Sequence, residues 1–261
     1  MCFQTYELFE KRSLVLPQGF ELLFTIQAVA GVNEKIEEVF GFIAESNDTI
    51  VVAFRGTDSQ QDLDSDADIF QVRFPFVHSS GKTHRGVTCI YQSTRDVLID
   101  EVQKLSSRKK LFITGHSLGG ALATLFALDA AVNTKFKHPI LYTLASFRVG
   151  SPDFAARFDM TVKNSFRIFN IHDPIPLSFV NSIYPPPFTK NGLYYRHVKG
   201  KFPLDFQLNN TARNHTISCY FKNLADMNPN FSKVLCSQNP GFCPDTRVCR
   251  FFQGPCSDDI W

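Results

Sequence analysis

"LFITGHSLGGALATLFALDA" runs from Leu111 to Ala130. With Lys110 it opens as "KLFITG", a short apolar run that reads as a buried strand. It continues as "LGGALATLFALDAAV", an apolar run long enough for a buried helix. Between the two, Ser117 stands among Gly115, Gly119 and Gly120 and beside His116. An ordinary turn does not need that much backbone freedom. Gly115-His116-Ser117-Leu118-Gly119 matches G-x-S-x-G, and strand–turn–helix is the context in which that pattern presents a serine on a sharp, strained corner. Glycines two residues to either side remove Cβ atoms that would collide with neighbouring elements. Gly120 and Ala121 let the helix approach the sheet. The pattern predicts Ser117 as a nucleophile above the carboxyl ends of the strands. The Leu118 N–H then lies at a helix N-terminus, where partial positive charge stabilises an oxyanion. The plain alternative is a glycine-rich packing turn.

The flanking sequence repeats the alternation. "EEVFGFIAES" and "TIVVAFRG" read as strands joined by a turn, and "PILYTLAS" and "SFRIFNI" as further buried strands. "RGVTCIYQSTRDVLIDEVQKLSS" has apolar residues at helical spacing. Apolar strands alternating with helices predict an α/β fold, a mostly parallel central sheet flanked by helices, in a single domain. Beyond "YPPPFTK" one clear late helix begins near Thr216. No internal repeat or low-complexity segment interrupts the chain.

The chain has 261 residues and a net charge of +2, with 27 phenylalanines. Near-balanced charge without a basic run argues against a nucleic-acid partner. No apolar stretch approaches the roughly 20 residues that span a bilayer. "MCFQTYELFEKRS" lacks the apolar core of a signal peptide, so the protein is either intracellular or without its leader here. Four of the seven cysteines, Cys236, Cys243, Cys249 and Cys256, crowd the end. Their spacing lacks CxxC, and their Pro/Gly/Asn-rich surroundings fit a disulfide-stapled tail better than a zinc site. N-x-S/T sequons at Asn47, Asn209, Asn214 and Asn230 point with the cysteines to a secreted glycoprotein whose leader is absent.

"VVAFRGT", "THRGVTCIY", "ITGHSLGGALATLFAL", "FRVGSPDFAARF", "FNIHDPIP" and "NHTISCYF" occur in the order found in class 3, or fungal-type, triacylglycerol lipases. The chain resembles that family over roughly Thr49 to Phe221; the first 40 residues and the cysteine-rich end carry little of the likeness. The resemblance implies the α/β-hydrolase fold and a Ser-Asp-His triad.

A serine hydroxyl needs a histidine to take its proton and a carboxylate to orient that histidine. In this fold the chain order is serine, acid, histidine. Of the downstream histidines, His138 lies in a surface-like stretch and precedes the acids, and His172 adjoins the acid candidate. His197 resembles a structural histidine of the family, and His215 in "RNHTISCYF" matches its catalytic one. Asp173 follows the strand "FRIFNI", is pinned by Pro174 and Pro176, and matches the family's acid. Asp153, Asp159 and Asp205 read as solvated surface charges. The family's second oxyanion donor follows Arg-Gly, which here is Thr57, beside Leu118. Arg55 reads as a structural ion-pair residue.

Two stretches depart from the family. Where its lipases carry an amphipathic lid, often with a tryptophan, this chain has "DSQQDLDSDADIF". Leu63 stands among Asp62, Asp64, Asp66 and Asp68, which predicts a polar lid and weak interfacial activation. In "ASFRVG", Ala145 and Phe147 replace the family's Gly and Pro. The sequence therefore predicts a monomeric serine carboxylic ester hydrolase cleaving acylglycerols, with a catalytic body over residues 1–235 and a cysteine-rich tail over 236–261. Its partners are a lipid or small ester and, transiently, a lipid interface. No metal or cofactor is implied. A feruloyl-type esterase, a phospholipase and an inactive hydrolase-fold binding protein are the alternatives.

Overall fold

The computed structural model describes residues 1–30, 36–57, 70–179, 182–185 and 192–249. In chain order the chain forms helix α1 (Cys2–Lys11) and strands β1 (Glu21–Ala30), β2 (Ile36–Glu45) and β3 (Thr49–Phe54). Strands β4 (Gln71–Arg73) and β5 (Lys82–His84) lead into helix α2 (Arg85–Lys104). Next come β6 (Lys110–His116), α3 (Leu118–Asn133), β7 (Ile140–Leu144), α4 (Pro152–Thr161) and β8 (Asn164–Asn170). After a π-helical turn over Ile175–Phe179 follow β9 (Ile183–Tyr184), β10 (Leu193–Tyr194) and β11 (Lys201–Leu204). Helices α5 (Thr211–His215), α6 (Ile217–Met227) and α7 (Pro229–Gln238) and a 3₁₀ turn over Arg247–Cys249 complete the described chain.

Seven strands form one sheet in the order β1-β2-β3-β6-β7-β8-β11. The first three pair antiparallel, and every pairing from β3 to β11 is parallel. Side chains alternate between the faces. Ile50, Val52, Phe54 and Ile113 join one core with Val87, Tyr91 and Leu98 of α2, Phe154 of α4 and the body of α3. Every residue of α3 from Leu118 to Ala131 is buried, as a helix apolar all round requires. On the other face Val51, Ala53 and Phe42 pack with Leu8 of α1, and Leu144 and Ile168 pack with Cys2 and with Tyr220 of α6. The expected mostly parallel sheet, flanked by helices, is present.

The sequence reading left α1, β1 and α7 unassigned. β1 is a long antiparallel partner to β2 at the sheet's edge. Helix α7 starts at Pro229, with Asn228 Oδ1 accepting the Phe231 N–H at 3.2 Å. Cys219–Cys249 and Cys236–Cys243 are disulfides, so the tail is stapled as expected, to itself and to α6. Cys2 is buried and free, Cys89 exposed and free; Cys256 lies outside the described residues, as does the acidic lid stretch from Asp58 to Ile69. Among the described residues no helix is long and apolar enough to cross a membrane.

Candidate active site

Ser117 leaves β6 and begins α3 at φ 56°, ψ −124°. A non-glycine residue held at such a dihedral costs of order 1–3 kcal/mol and needs surroundings that over-determine it. Here the Ser117 N–H donates to Leu144 O at 2.9 Å, and its carbonyl accepts from Gly120 N at 2.9 Å. A Cβ on Gly115 would run into the Gly119 carbonyl, one on Gly119 into that of Phe54, and one on Gly120 would lie 2.7 Å from Ser146 Cβ. The glycines therefore allow the strand, corner and helix to touch at backbone distance.

His215 ends α5, whose start is capped by Asn210 Oδ1 accepting from Arg213 N at 3.0 Å. Its Nε2 lies 2.9 Å from Ser117 Oγ and its Nδ1 2.8 Å from Asp173 Oδ2. Asp173 sits just past β8, fully buried, with its N–H donating to Asn170 O at 3.1 Å. Its Oδ1 accepts from Ile175 N at 3.0 Å, and its Oδ2 also accepts from the Tyr220 hydroxyl at 2.8 Å. That hydroxyl accepts in turn from Asn170 N at 2.8 Å. Burial, then the charge of Asp173, pushes the Tyr220 phenol above its ordinary range, so it remains a donor. With Nδ1–H committed to Asp173, Nε2 presents its lone pair to the Ser117 hydroxyl. The predicted serine, acid and histidine thus meet in one chain of hydrogen bonds.

Thr57 follows β3 on the same edge. A Cβ on the preceding Gly56 would lie 3.1 Å from Ser117 Cβ, so the two loops abut. Thr57 Oγ1 is buried without a hydrogen-bond partner among the described residues. Such an orphan costs about 1–3 kcal/mol unless something else bonds it, and an anionic oxygen beside Ser117 would do so. Arg55 is structural, as expected. Its Nη2 pairs with Glu38 at 2.8 Å, its Nη1 donates to Gly56 O at 3.0 Å, and its guanidinium covers Phe9 at 3.7 Å.

The remaining candidates stand apart from this cluster. His138 is exposed, and His172 pairs with exposed Asp205 at 3.0 Å. His197 donates from Nε2 to Pro176 O at 2.7 Å; burial, then nearby Arg167, pulls its pKa down to about 3. Asp153 is exposed as expected. Asp159 is not simply solvated: it is half-buried and accepts from Lys199 N at 2.8 Å. Ala145 holds φ 54°, a left-handed backbone that favours glycine, and Phe147 is buried. The sequon asparagine Asn214 is also buried, its amide bonded to His172 O, Gln207 and Leu208 N, which leaves no outlet for a glycan. Sequence reasoning missed Tyr220, five residues past His215, and Tyr6, which meets His116 beside the corner. No local pattern marks either as other than core aromatic.

The sequence model of the family described as Lipase (class 3) matches residues 51–182, just over half of the chain. Secreted mono- and diacylglycerol lipase A of Penicillium cyclopium is 31% identical over 146 residues, 54% of this chain and 47% of that protein. A lipase of Rhizomucor miehei is 34% identical over 139 residues, 51% of this chain and 38% of that one. Phospholipase A1-II 6 of Oryza sativa subsp. japonica is 30% identical over 212 residues, 67% of this chain and 50% of that one. The chain spans half or less of the length of these curated relatives. Among solved structures, a Rhizomucor miehei lipase–propeptide complex superposes with a TM-score of 0.55 at 26% identity, covering 74% of this chain and 57% of that one.

Proposed function

The chain belongs to the class 3 lipase family, and from that premise we propose that it is a serine ester hydrolase acting on acylglycerols. Ser117 Oγ attacks the ester carbonyl carbon while His215 Nε2 takes its proton. The N–H of Leu118 and the N–H and hydroxyl of Thr57 hold the resulting oxyanion. Collapse of the tetrahedral species breaks the bond to the alcohol oxygen, which leaves with the proton from Nε2. Water, deprotonated by the same nitrogen, then attacks the acyl-enzyme and frees the acid and Ser117. Asp173 keeps His215 in the tautomer this requires. The observation that carries the reading is the unbroken run Ser117–His215–Asp173 at 2.9 and 2.8 Å.

Phospholipid is the second substrate class. It is favoured by the rice phospholipase A1, which matches a longer stretch than either fungal relative. Secretion is supported by the two disulfides and by the word "secreted" in the name of the Penicillium relative. The same reading takes the protein as a monomer that meets a lipid surface transiently. Residues 236–261 are then a tail on a body over 1–235, supported by Gln4 Nε2, which donates to Gly241 O and Phe242 O at 2.8 and 2.9 Å. A panel of p-nitrophenyl esters from acetate to palmitate, with a diacylglycerol, a phosphatidylcholine and methyl ferulate, tests the proposal. Turnover of the acyl esters and the diacylglycerol is expected. Cleavage of methyl ferulate alone, or of nothing, would contradict it.

A further inference from the structure

His116 is buried beside the nucleophile, and the hydrolytic scheme leaves it unused. Its Nε2 lies 2.8 Å from the carbonyl oxygen of His215 and its Nδ1 2.7 Å from the Tyr6 hydroxyl. A carbonyl oxygen only accepts, so Nε2 carries the proton. Burial, then the neighbouring His215, holds the His116 pKa well below its ordinary value. The ring is therefore neutral, Nδ1 is an acceptor, and Tyr6 must donate to it. The direction of the chain is fixed: Tyr6 O–H to Nδ1, then Nε2–H to the His215 carbonyl. The groups facing the His116 ring are Tyr6 from α1, His215 from α5 with its ring centroid 4.8 Å away, and Tyr220 from α6, edge-on at 6.1 Å.

The same hydroxyl touches a second part of the site. A Cβ added to Gly56 would run into Tyr6 Oη, so Tyr6 is packed against the loop that carries Thr57. Helix α1 is itself held in place. Its Gln4 bonds the tail at Gly241 and Phe242 and accepts from Val15 N at 2.8 Å, and its Phe9 lies under Arg55. One phenol thus joins the histidine's main chain to the oxyanion loop.

We propose that Tyr6 is a positioning residue for ester hydrolysis, acting through His116 on the main chain of His215 and through Gly56 on the loop presenting Thr57. The inference rests on the hydrolase reading. The Tyr6 hydroxyl bonds His116 Nδ1 and lies against the Gly56 backbone. It fixes the separation of base, nucleophile and oxyanion donors, and displacement of such groups by an ångström is enough to lower a rate about 100-fold.

Tyr6→Phe keeps the ring and removes only the donor. Its kcat on p-nitrophenyl butyrate should fall about 10- to 100-fold while KM stays within about twofold. Leu8→Ala, on the same helix but packed into the sheet, should lower Tm and leave kcat unchanged. In ¹⁵N spectra of the unmodified protein, His116 should be the Nε2–H tautomer with a hydrogen-bonded Nδ1, and Tyr6→Phe should move the Nδ1 resonance towards that of an unbonded imine nitrogen. A kcat split matched by Leu8→Ala, or a Tyr6→Phe enzyme with normal kcat, overturns the inference. So does a Nδ1–H or charged His116 in the unmodified protein, which decides the matter even if Tyr6→Phe does not fold. Unmodified protein with no turnover of any acyl ester sinks the hydrolase reading itself. Active protein with an indifferent Tyr6→Phe sinks only the role of Tyr6.

Discussion

The corner at Ser117 and the chain after Asn228 hold their shapes by opposite means. Ser117 sits at φ 56° with every residue of the following helix buried as far as Ala131. No covalent link reinforces it; carbonyls and glycines pressed together leave the backbone nowhere else to go. Helix α7 has no buried residue, and its Phe231 is 63% exposed. It is kept by Cys236–Cys243 and by the nearby Cys219–Cys249. Backbone strain persists where packing surrounds it on all sides, whereas a segment with no core of its own depends on cross-links. The proposed triad belongs to the first kind of region, the disulfide-bonded end to the second, and the two should respond to different perturbations.

The sharpest separation comes from Ser117→Ala. Turnover of p-nitrophenyl butyrate should drop about 10⁶-fold with Tm nearly unchanged, because the alanine inherits the same packed corner. Residual turnover near that of the unmodified protein would mean that the corner is structural only. The tail should answer in the converse way. Replacing Cys219 and Cys249 by serine releases a loop with a sequence separation of 30, which in the chain-entropy account lowers stability by roughly 3.5 kcal/mol. For Cys236 and Cys243, separated by 7, the figure is roughly 2.5 kcal/mol. Urea unfolding should show those losses in that order, and kcat should stay within about twofold, because Val15 N on Gln4 and Arg55 over Phe9 still hold α1 when the tail contact is loosened. Loss of kcat in step with stability would join the regions that the comparison separates.

A third effect concerns acid. His197 has a pKa of about 3 in the fold against an ordinary value of 6.5. The unfolded chain therefore binds a proton that the native state refuses. Its contribution is complete above pH 6.5 and is lost progressively as pH falls towards 3. His197→Gln, which retains a donor for Pro176 O, should make the loss of stability between about pH 6.5 and 4 shallower by one proton. Unfolding titrations with the same slope for both proteins would place the ring's protonation elsewhere.

How much of this was legible in the sequence follows the same division. The corner is encoded locally: two apolar runs with glycines at fixed offsets from Ser117 force a single geometry. Asp173 and His215 were legible through chain order and resemblance together, and Thr57 through resemblance alone, since its orphaned hydroxyl appears only when the chain is folded. Tyr6 and Tyr220 were not legible because their roles depend on partners 110 and 47 residues away. Helix α7 was missed because "PNFSKVLCSQ" is short, and although Phe231, Val234 and Leu235 stand at helical spacing, none of its residues is buried in a core that would announce it. Ala145 shows the limit from the other side: an alanine spells no turn, yet it occupies a left-handed position at φ 54°.

If the packed corner makes Ser117 the nucleophile, its hydroxyl should react with an activated phosphonate ester. A p-nitrophenyl alkylphosphonate, followed by peptide mass mapping, tests it most directly. One equivalent of phosphonate is expected, on the peptide containing "GHSLGG" and on Ser117, with activity lost in proportion and no labelling of Ser117→Ala. Stoichiometric labelling of any other residue, or full inactivation with Ser117 unmodified, would contradict it.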